Sequence, residues 1–451
     1  MMTQHTFDIL VIGTGGGGSV AARKCAAAGK RVAIVDALPF GGTCALRGCD
    51  PKKVLLGAAE AVARSRQLLG HGLQQEAVIS WPELVAFKRT FTEPVPAKKE
   101  ASFEQAGIRT FHGVARFTGP HTVQIGDDVL EAKQFVIATG ARPRPLSIPG
   151  EELLLDSSDF MELPELPADM TFVGGGYIAF EFAHLVARCG VQARIIHRGP
   201  RPLENFDADL VGHLLTATRG AGIEVVLNTE VAGVERLPDG RLRLRTTAQG
   251  QARELTVSLA IHAAGREPAL AELNLEAAGV ACTRHGVTVN EYLQSTTHPD
   301  VYAAGDAAAS GLPLTPVAGK ASHVVAANLL EGNHKTIEYG VVPSAVFTHP
   351  VLASVGLTEA EATKQGLKFR VKTDVTTGWF TSKRLSTPVS AFKVLVDEDT
   401  DQILGAHLLS PNAEEVINLF MLAMHAKLPA SEVKQLIFAY PTASSDIIYM
   451  L

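Results

Sequence analysis

Cysteine is scarce in this chain of 451 residues, which contains only five. So few cysteines exclude the disulfide framework that holds small secreted domains together. No apolar run approaches the roughly 18 residues that a membrane-spanning helix needs, and the N-terminal residues lead into a strand without the apolar core of a signal peptide. The sequence therefore predicts a cytoplasmic protein with no membrane partner.

Positive charge is also in short supply. Lysine and arginine number 41 against 47 aspartate and glutamate residues, which gives a formal net charge of -6. Proteins that bind nucleic acids carry basic patches or stripes, and the sequence contains none. The composition is globular, with 46% hydrophobic and 20% charged residues, and the length favours about three domains. We therefore expect a small-molecule substrate and no nucleic-acid partner.

Two of the five cysteines lie close together in a segment rich in glycine, residues 41–53. In a regular helix Cys44 and Cys49 would be separated by roughly 7.5 Å of rise, which is too far for the Cα spacing of about 4.4–6.8 Å in a disulfide. The sequence therefore predicts a distorted helix, with Gly48 and a kink at Pro51 as the distorting residues, and a helix start that favours a thiolate. Two reduced structural cysteines are the alternative.

The first residues carry a dinucleotide-binding pattern. An apolar run at residues 7–12 leads into Gly13, Gly15 and Gly18, and a helical stretch and a second strand then end at Asp36. Such glycines make a tight turn that admits a pyrophosphate to the helix N-terminus, and the acid would bind ribose hydroxyls. The alternative is a structural turn that binds no nucleotide.

A second pattern of the same kind starts at Gly174 and Gly176. At the end of its second strand, where an acid would hold the ribose of NAD, stand His197 and Arg198, with Arg201 close behind. Cationic groups there suit the 2′-phosphate of NADPH. The sequence therefore predicts NADPH as the cofactor, with NADH possible; the alternative is that these are solvated surface charges.

The rest of the chain contains further glycines at strand ends and a C-terminal segment with a different pattern of apolar residues. Glycine follows predicted strands at Thr139-Gly140, Gly265-Arg266 and Gly305-Asp306, and a long helix starts near Thr315. Alternating strands and an apolar helix at 413–427 then predict an antiparallel sheet with helices on one face. The three scattered cysteines are expected to be buried or half-buried apolar residues: Cys25, Cys189 and Cys282. Three histidines are not expected to be catalytic bases: His323, His349 and His425.

Over nearly its whole length the chain resembles the glutathione reductase-like pyridine nucleotide-disulfide oxidoreductases, which include dihydrolipoamide dehydrogenase and mercuric reductase. The resemblance rests on the two nucleotide patterns and on four further motifs: Gly-Gly-Thr-Cys44-x4-Cys49-x-Pro51-Lys52, Ala138-Thr-Gly140, Gly305-Asp306 and Phe347-Thr-His349-Pro350.

The resemblance implies an α/β fold with two Rossmann-like dinucleotide-binding domains and a C-terminal α+β dimerisation domain. It implies FAD in the first nucleotide fold, NAD(P)H in the second, and a homodimer. The expected boundaries are 1–149 and 266–340 for the two parts of the FAD-binding domain, 150–265 for the NAD(P)H-binding domain and 341–451 for the dimerisation domain.

The resemblance also implies roles for individual residues. Cys44 is similar to the interchange thiol that meets the substrate, and Cys49 to the thiol beside the flavin. Lys52 and Glu181 match an ion pair near the flavin, and Tyr440 occupies the position of the catalytic acid and base. The other matched positions are cofactor-binding: Gly13, Gly15, Gly18, Asp36, Gly42, Thr43, Thr139, Gly140, Gly174, Gly176, Tyr177, His197, Arg198, Arg201, Gly265, Arg266, Gly305 and Asp306. No metal ligands are predicted.

One departure from the family pattern affects the chemistry. Disulfide reductases of the family end in His-Pro-x-x-x-Glu, whereas here Tyr440 replaces the histidine and Ser445 the glutamate. A phenol can donate a proton but is a poor base at neutral pH. Mercuric reductases also resemble this chain in having a tyrosine there, although this sequence lacks their paired C-terminal cysteines.

Three functions are compatible with these residues. The first is an NADPH-dependent flavoprotein that reduces a small disulfide or related thiol compound through Cys44 and Cys49. The second is a reductase of a soft metal ion or a quinone, and the third is a flavoprotein whose cysteine pair senses redox state.

Overall fold

The structure is a computed structural model that describes residues 3–451. Its helices are α1 (Gly16–Ala27), α2 (Gly42–Arg47), α3 (Cys49–Gln67), α4 (Trp81–Thr92), α5 (Val95–Gln105), α6 (Ser157–Met161), α7 (Tyr177–Arg188), α8 (Ala208–Gly220), α9 (Thr315–Glu331), α10 (Glu359–Lys364), α11 (Phe380–Lys383), α12 (Ala413–His425), α13 (Ala430–Gln435) and α14 (Ile447–Met450).

The strands of the first half are β1 (Thr3–Ile12), β2 (Val32–Asp36), β3 (Arg109–His112), β4 (Arg116–Gly119), β5 (Thr122–Ile125), β6 (Asp128–Ile137), β7 (Ala141–Pro143), β8 (Asp169–Val173), β9 (Gln192–Ile196) and β10 (Glu224–Val226). Those of the second half are β11 (Thr229–Arg236), β12 (Leu242–Ala248), β13 (Gln251–Val257), β14 (Leu259–His262), β15 (Arg266–Pro268), β16 (Cys282–Thr283), β17 (Gly286–Val287), β18 (Val301–Ala303), β19 (Ser344–Val346), β20 (Val351–Gly356), β21 (Phe369–Val375), β22 (Ala391–Asp397) and β23 (Ile403–Ser410).

The chain forms two compact units, each made of separate segments. The first contains the described residues as far as Lys53, Ala86–Arg144 and Gly265–Tyr339. The second contains Val54–Val85, Pro145–Ala264 and Gly340–Leu451.

The first unit is built on a sheet whose central strand is β1. Strands β2, β1 and β6 run parallel, β3 extends one side, and β18 pairs with the C-terminal part of β6. Successive residues of β1 point to opposite faces, so Ile9 and Val11 pack in one core and Leu10 and Ile12 in another. Burial on both faces explains the unbroken apolar run. The parallel order brings the ends of β1, β6 and β18 to one edge of the sheet.

The second unit contains three sheets. Strands β10, β9, β8 and β14 form a parallel sheet, β11 to β13 a small antiparallel sheet, and β19, β20, β23, β22 and β21 a five-stranded antiparallel sheet. The parallel sheet with α7 is the second nucleotide fold, and the five-stranded sheet with α12 is the C-terminal fold. The predicted α/β class with two Rossmann-like folds and a C-terminal α+β fold is therefore confirmed.

Helix α12 of the C-terminal segment lies on one face of its sheet, as predicted, and a helix from another segment packs on the opposite face. Phe392 and Val394 pack with α12 on one face, whereas Ala391 and Leu409 point the other way and join the core that contains Leu210 of α8. Helix α8 lies far from the C-terminal sheet in sequence. Apolar patterns within each segment therefore could not predict that α8 packs on this sheet.

Candidate active site

The turn after β1 is closed by glycines. Gly13 has φ of +111°, and a Cβ at this position would lie 2.1 Å from the Ala138 carbonyl oxygen. A Cβ on Gly18 would lie 2.2 Å from the carbonyl oxygen of Gly13. Helix α1 starts directly after this turn with Gly15 as N-cap, no side chain that caps it and no acidic residue in its first turn. The amide groups and the positive end of the helix dipole are therefore available to a phosphate.

Asp36 lies at the end of β2 and organises this turn. Its Oδ2 accepts hydrogen bonds from the amide of Thr14 at 2.9 Å and from the Thr14 hydroxyl at 2.6 Å. The Thr14 hydroxyl in turn accepts one from the amide of Gly41 at 3.0 Å. A carboxylate has about four acceptor positions, so Asp36 retains capacity for a ribose hydroxyl. Sequence reasoning missed Thr14, which stands between two motif glycines.

Several other predicted FAD-binding residues surround the same turn. A Cβ on Gly42 would lie 2.5 Å from Gly15 Cα, so the start of α2 packs directly on the glycine turn. Thr139 follows β6, and its buried hydroxyl has no hydrogen-bond partner within residues 3–451. An unsatisfied buried hydroxyl needs a partner, and an uncapped helix start next to it suits a phosphate. These features fit a bound dinucleotide.

Three other predicted residues belong to the same unit. Gly305 has φ of +66° in the turn after β18. Burial raises the pKa of the next residue, Asp306, and the positive charge of Arg266 opposes that rise. Arg266 also donates to the Ala141 carbonyl, which connects the paired strands β7 and β15.

The two cysteines lie on either side of a helix break. Helix α2 ends at Arg47, α3 begins at Cys49, and the structure records both cysteines as free thiols. A Cβ on Gly48 would lie 2.8 Å from the Thr43 carbonyl oxygen, so only glycine fits at the break. The predicted distortion is present, because the helix breaks at Gly48, within one turn ahead of Pro51. Pro51 lies in the first turn of α3, where no amide donor is needed.

The two thiols have opposite protonation behaviour. A hydrogen bond from Cys44 lowers the pKa of Cys49 to about 5, with contributions from the Thr315 hydroxyl and the cations Lys52 and Lys53 that outweigh burial. The same hydrogen bond to Cys49, together with burial, raises the pKa of Cys44. Cys49 is therefore a thiolate at neutral pH, while Cys44 keeps its proton.

Two contacts of the thiols come from residues that sequence reasoning did not place in the site. The Cys49 Sγ lies 3.6 Å from the Thr315 Oγ1 of α9, and the Cys44 Sγ lies 3.8 Å from the Asp50 Oδ1. The predicted helix start at Thr315 is correct, but a contact over 266 positions in sequence leaves no local signal.

The residues proposed to flank the flavin are distributed over both units. Lys52 is buried in the first unit. In the second unit Glu181 is buried, and its Oε1 accepts a hydrogen bond from the amide of Phe347 at 3.0 Å. Tyr177 is the first residue of α7 and its side chain is 46% exposed. The ion pair of Lys52 with Glu181 and the cofactor-binding role of Tyr177 stay predictions.

The second glycine turn repeats the geometry of the first. Gly174 has φ of +128°, and a Cβ there would lie 2.2 Å from the Ala263 carbonyl oxygen. Helix α7 has Gly176 as N-cap, no side chain that caps it and no acidic residue in its first turn. The second turn therefore also offers a helix N-terminus to a phosphate.

The three basic residues after β9 have different environments. The Nε2 of His197 lies 3.1 Å from the Arg201 carbonyl oxygen. The Arg201 guanidinium donates to the carbonyl oxygens of Phe206 and Glu204 at 2.8 and 2.9 Å, so it holds its own loop together. Arg198 is exposed, and it is the side chain of the three that extends into solvent.

The C-terminal replacement of the histidine and glutamate also changes the local geometry. Tyr440 is 75% exposed, and its hydroxyl has no hydrogen bond within the described residues. Ser445 is buried and donates to the Thr442 carbonyl oxygen at 2.7 Å. Ser445 therefore stabilises its own turn and does not orient Tyr440.

The remaining cysteines and histidines lie away from the two thiols in sequence and differ in burial. Burial raises the pKa of Cys25 to about 11 and that of Cys189 to about 12, as expected for unreactive thiols. The prediction for Cys282 is wrong, because this residue is exposed on the short strand β16. Burial lowers the pKa of His349 to about 4, in keeping with a structural role.

Residues 3–451 contain no group of three or more histidine, cysteine, aspartate or glutamate residues that could hold a metal ion. No helix in this range is long and apolar enough to cross a membrane.

Comparison with known families decides the class. Residues 7–322 match the model of the pyridine nucleotide-disulphide oxidoreductases, and residues 342–450 match the dimerisation domain of the same family. The chain is a pyridine nucleotide-disulfide oxidoreductase. FAD and NAD(P)H are the cofactors of this family of flavoproteins, in agreement with the two glycine turns.

Three proteins are similar to this chain. Glutathione reductase of Burkholderia cepacia is 34% identical over 456 residues, which cover 99% of each chain. An uncharacterized 19.7 kDa protein in the mercuric resistance operon of Staphylococcus aureus is 58% identical over 180 residues, which are its whole length and 40% of this chain. The Cu(II) complex of RclA, an HOCl-induced flavoprotein disulfide reductase from Escherichia coli, has a TM-score of 0.88 and 27% identity over 99% of each chain.

Proposed function

We propose that this oxidoreductase passes electrons from NADPH through FAD to Cys44 and Cys49, and from them to a small disulfide or related thiol compound. The observation that carries the proposal is the divided protonation of the two thiols. The pKa of Cys49 is lowered to about 5 while that of Cys44 is raised. A thiolate beside a thiol is the arrangement that thiol–disulfide exchange requires.

The cysteines act in sequence. As the Cys44 sulfur attacks one sulfur of the substrate disulfide, its proton passes to the hydrogen-bonded Cys49 thiolate. The substrate S–S bond breaks, and the first product leaves as a thiolate that takes this proton from Cys49. The Cys49 thiolate then attacks Cys44 Sγ, which closes the protein disulfide and releases the second product as a thiolate that takes a proton from solvent or from Tyr440. Two electrons pass from the dithiol to the substrate, and FAD, when bound, would supply the two electrons that regenerate the dithiol.

A soft metal ion or a quinone as acceptor is the second candidate. Tyr440 gives no strong base for disulfide chemistry, and reduction of a metal ion or quinone needs none. The Cu(II) complex of RclA and the mercuric resistance operon of the Staphylococcus aureus relative support a metal ion. The HOCl induction named for RclA supports the third candidate, a redox-sensing role.

A panel of acceptors tests these candidates. NADPH oxidation is measured with small disulfides, with Cu(II) and Hg(II), and with quinones, all with the holoenzyme. Turnover that is fastest with a disulfide is the expected result. Fastest turnover with a metal ion or quinone would favour the second candidate, and slow turnover with every acceptor would favour the sensor.

The proposal includes a homodimer in which the C-terminal fold, residues 341–451, forms the interface. Large apolar side chains are exposed on this fold, which supports association with a second copy: Leu422, Leu436, Ile437, Tyr440 and Tyr449. The domain boundaries 1–149, 150–265, 266–340 and 341–451 and the cofactor-binding residues named above are part of the same proposal.

Tyr440 is proposed as the proton donor to the departing thiolate. The change Tyr440→Phe removes only the hydroxyl, so we expect reduction of the disulfide acceptor to fall about tenfold or more. NADPH oxidation in the first turnover should be unchanged. Stopped-flow measurement of the two half-reactions separates these effects, with Tyr449→Phe as the control. An unaltered oxidative half-reaction would remove the catalytic role of Tyr440.

NADPH is proposed as the preferred cofactor because Arg198 is exposed after β9. A charge-assisted hydrogen bond to the 2′-phosphate contributes about 1.5–3 kcal/mol, or roughly tenfold or more in kcat/KM. Arg198→Ala should therefore lower kcat/KM for NADPH about tenfold and leave that for NADH unchanged. Arg194→Ala, on the strand before it, is the control. Equal kcat/KM for both cofactors in the unaltered protein would contradict the assignment.

A further inference from the structure

A carboxylate lies beside the thiol that is proposed to meet the substrate. The Asp50 Oδ1 lies 3.8 Å from the Cys44 Sγ, close enough to accept the thiol proton in place of Cys49. Asp50 is in the first turn of α3, immediately after Cys49, and its side chain is exposed. An approaching acceptor that contacts Cys44 therefore meets this negative charge at the same time.

The charges around the two thiols are unequally distributed. The strongest charged influences on Cys44 are negative: the Cys49 thiolate and the Asp50 carboxylate, which both raise the pKa of Cys44. The strongest charged influences on Cys49, apart from Cys44, are the cations Lys52 and Lys53. Arg47 ends α2 between the cysteines and is the cation nearest to Cys44 in sequence. Thr315 is uncharged and contacts Cys49.

We infer that Asp50 determines the charge of the acceptor, so that Cys44 reacts with neutral or cationic acceptors in preference to anionic ones. Like charges a few ångströms apart repel each other, and the barrier for an anionic acceptor rises by this repulsion. At about 6 Å in a water-like medium, one pair of like charges changes a rate about threefold. The inference rests on the proposed function for its substrate, but the electrostatic effect of Asp50 can be measured without an acceptor.

The first experiment compares alkylation of Cys44 by neutral iodoacetamide and by anionic iodoacetate. The holoenzyme is reduced with NADPH, and the modified cysteines are quantified by mass spectrometry. Trypsin cleaves after Arg47, so Cys44 and Cys49 fall on different peptides. Exposed Cys282 is the internal reference for the intrinsic reactivity of the two reagents. Because both reagents react with the same thiolate, the ratio of their rates cancels any change in thiolate fraction.

We expect Asp50→Asn to raise the ratio of iodoacetate to iodoacetamide at Cys44 about threefold, and Asp50→Glu to leave it near the original value. Asp127→Asn is the matched control. Asp127 precedes Asp128, which pairs with Thr3 at the far end of the ten-residue strand β1, roughly 30 Å from the glycine turn. An unchanged ratio in Asp50→Asn would overturn the inference. A larger opposite change in Arg47→Gln would also overturn it, by showing that Arg47 sets the local field. In that variant, which lacks the tryptic site, fragment ions of the single peptide distinguish Cys44 from Cys49.

The second experiment uses three small disulfides that differ in charge: cystamine with two positive charges, 2-hydroxyethyl disulfide with none, and dithiodiglycolate with two negative charges. We expect kcat/KM to fall in that order, and Asp50→Asn to raise the value for dithiodiglycolate relative to cystamine about tenfold or more. A preference for dithiodiglycolate in the unaltered protein would overturn the inference. If no disulfide is reduced but the alkylation ratio shifts, the proposed function fails and the role of Asp50 holds.

Discussion

Replacing Cys49 by serine will reduce NADPH-driven disulfide turnover by about a thousandfold or more, while the first turnover of NADPH oxidation stays intact. Without the second thiol, nothing in the site attacks Cys44 Sγ to release the bound product. Stopped-flow absorbance separates the two half-reactions. Cys282→Ser, which changes an exposed thiol on β16, should behave as the unaltered protein.

The same residue gives a pH dependence. Its pKa is lowered to about 5, so the thiolate is present above about pH 5 and is protonated below it. Disulfide reduction by the unaltered protein should therefore decline as the pH falls through about 5. If Cys49→Ser retains full acceptor turnover, electrons reach the acceptor without the cysteines, as the quinone alternative requires.

Replacing Lys393 by methionine will destabilise the second unit by about 2–4 kcal/mol. Lys393 is buried on β22 and donates to Asp207 at 3.2 Å, to Asp209 at 2.5 Å and to Glu359 at 2.7 Å. Asp209 and Glu359 are 67% and 45% exposed, so water can solvate them. Asp207 is buried, and without Lys393 its charge would keep only the hydrogen bonds from the amides of Asp209 and Leu210 at 3.1 and 3.3 Å.

Thermal unfolding measures this effect, and we expect the Tm to fall by roughly 5–10 °C. Lys383→Met, at an exposed position in α11, is the control and should change the Tm little. Burial lowers the pKa of Lys393, but its hydrogen bonds to the carboxylates outweigh burial and raise it. The stabilisation should therefore be complete up to about pH 10.4, the usual lysine value, and be lost only above it. A Tm within about 1 °C of the unaltered protein would contradict the ion-pair role.

Sequence patterns predicted the parts of the site that depend on local geometry. Gly13 and Gly174 occupy backbone conformations and close contacts that only glycine allows, so their spacing in the sequence is informative. The break between Cys44 and Cys49 follows in the same way from helix dimensions. The positive φ of both glycines and the helix break depend on the local sequence, whereas the close contacts of Gly13 and Gly174 are with the distant residues Ala138 and Ala263.

The parts that the sequence did not reveal depend on contacts between distant segments. Thr315 touches Cys49 over 266 positions, and no periodicity connects them. Asp50 is adjacent to Cys49 in sequence, yet its contact is with Cys44, because the break at Gly48 turns α2 relative to α3. The hydrogen bonds of Arg201 depend on the conformation of its loop, and the exposure of Cys282 depends on its place on the short strand β16. Composition determines neither.

The position of α8 has a consequence for protein engineering. This helix belongs to the second nucleotide fold, yet Leu210 packs in one core with Ala391 and Leu409 of the C-terminal sheet. A chimera that exchanges only residues 341–451 with a relative would therefore join two halves of a mismatched core. Residues 54–85 contribute to the same core, so only exchange of 54–85, 145–264 and 340–451 together keeps it from one parent. Such hybrids should be soluble more often than hybrids that exchange the C-terminal segment alone.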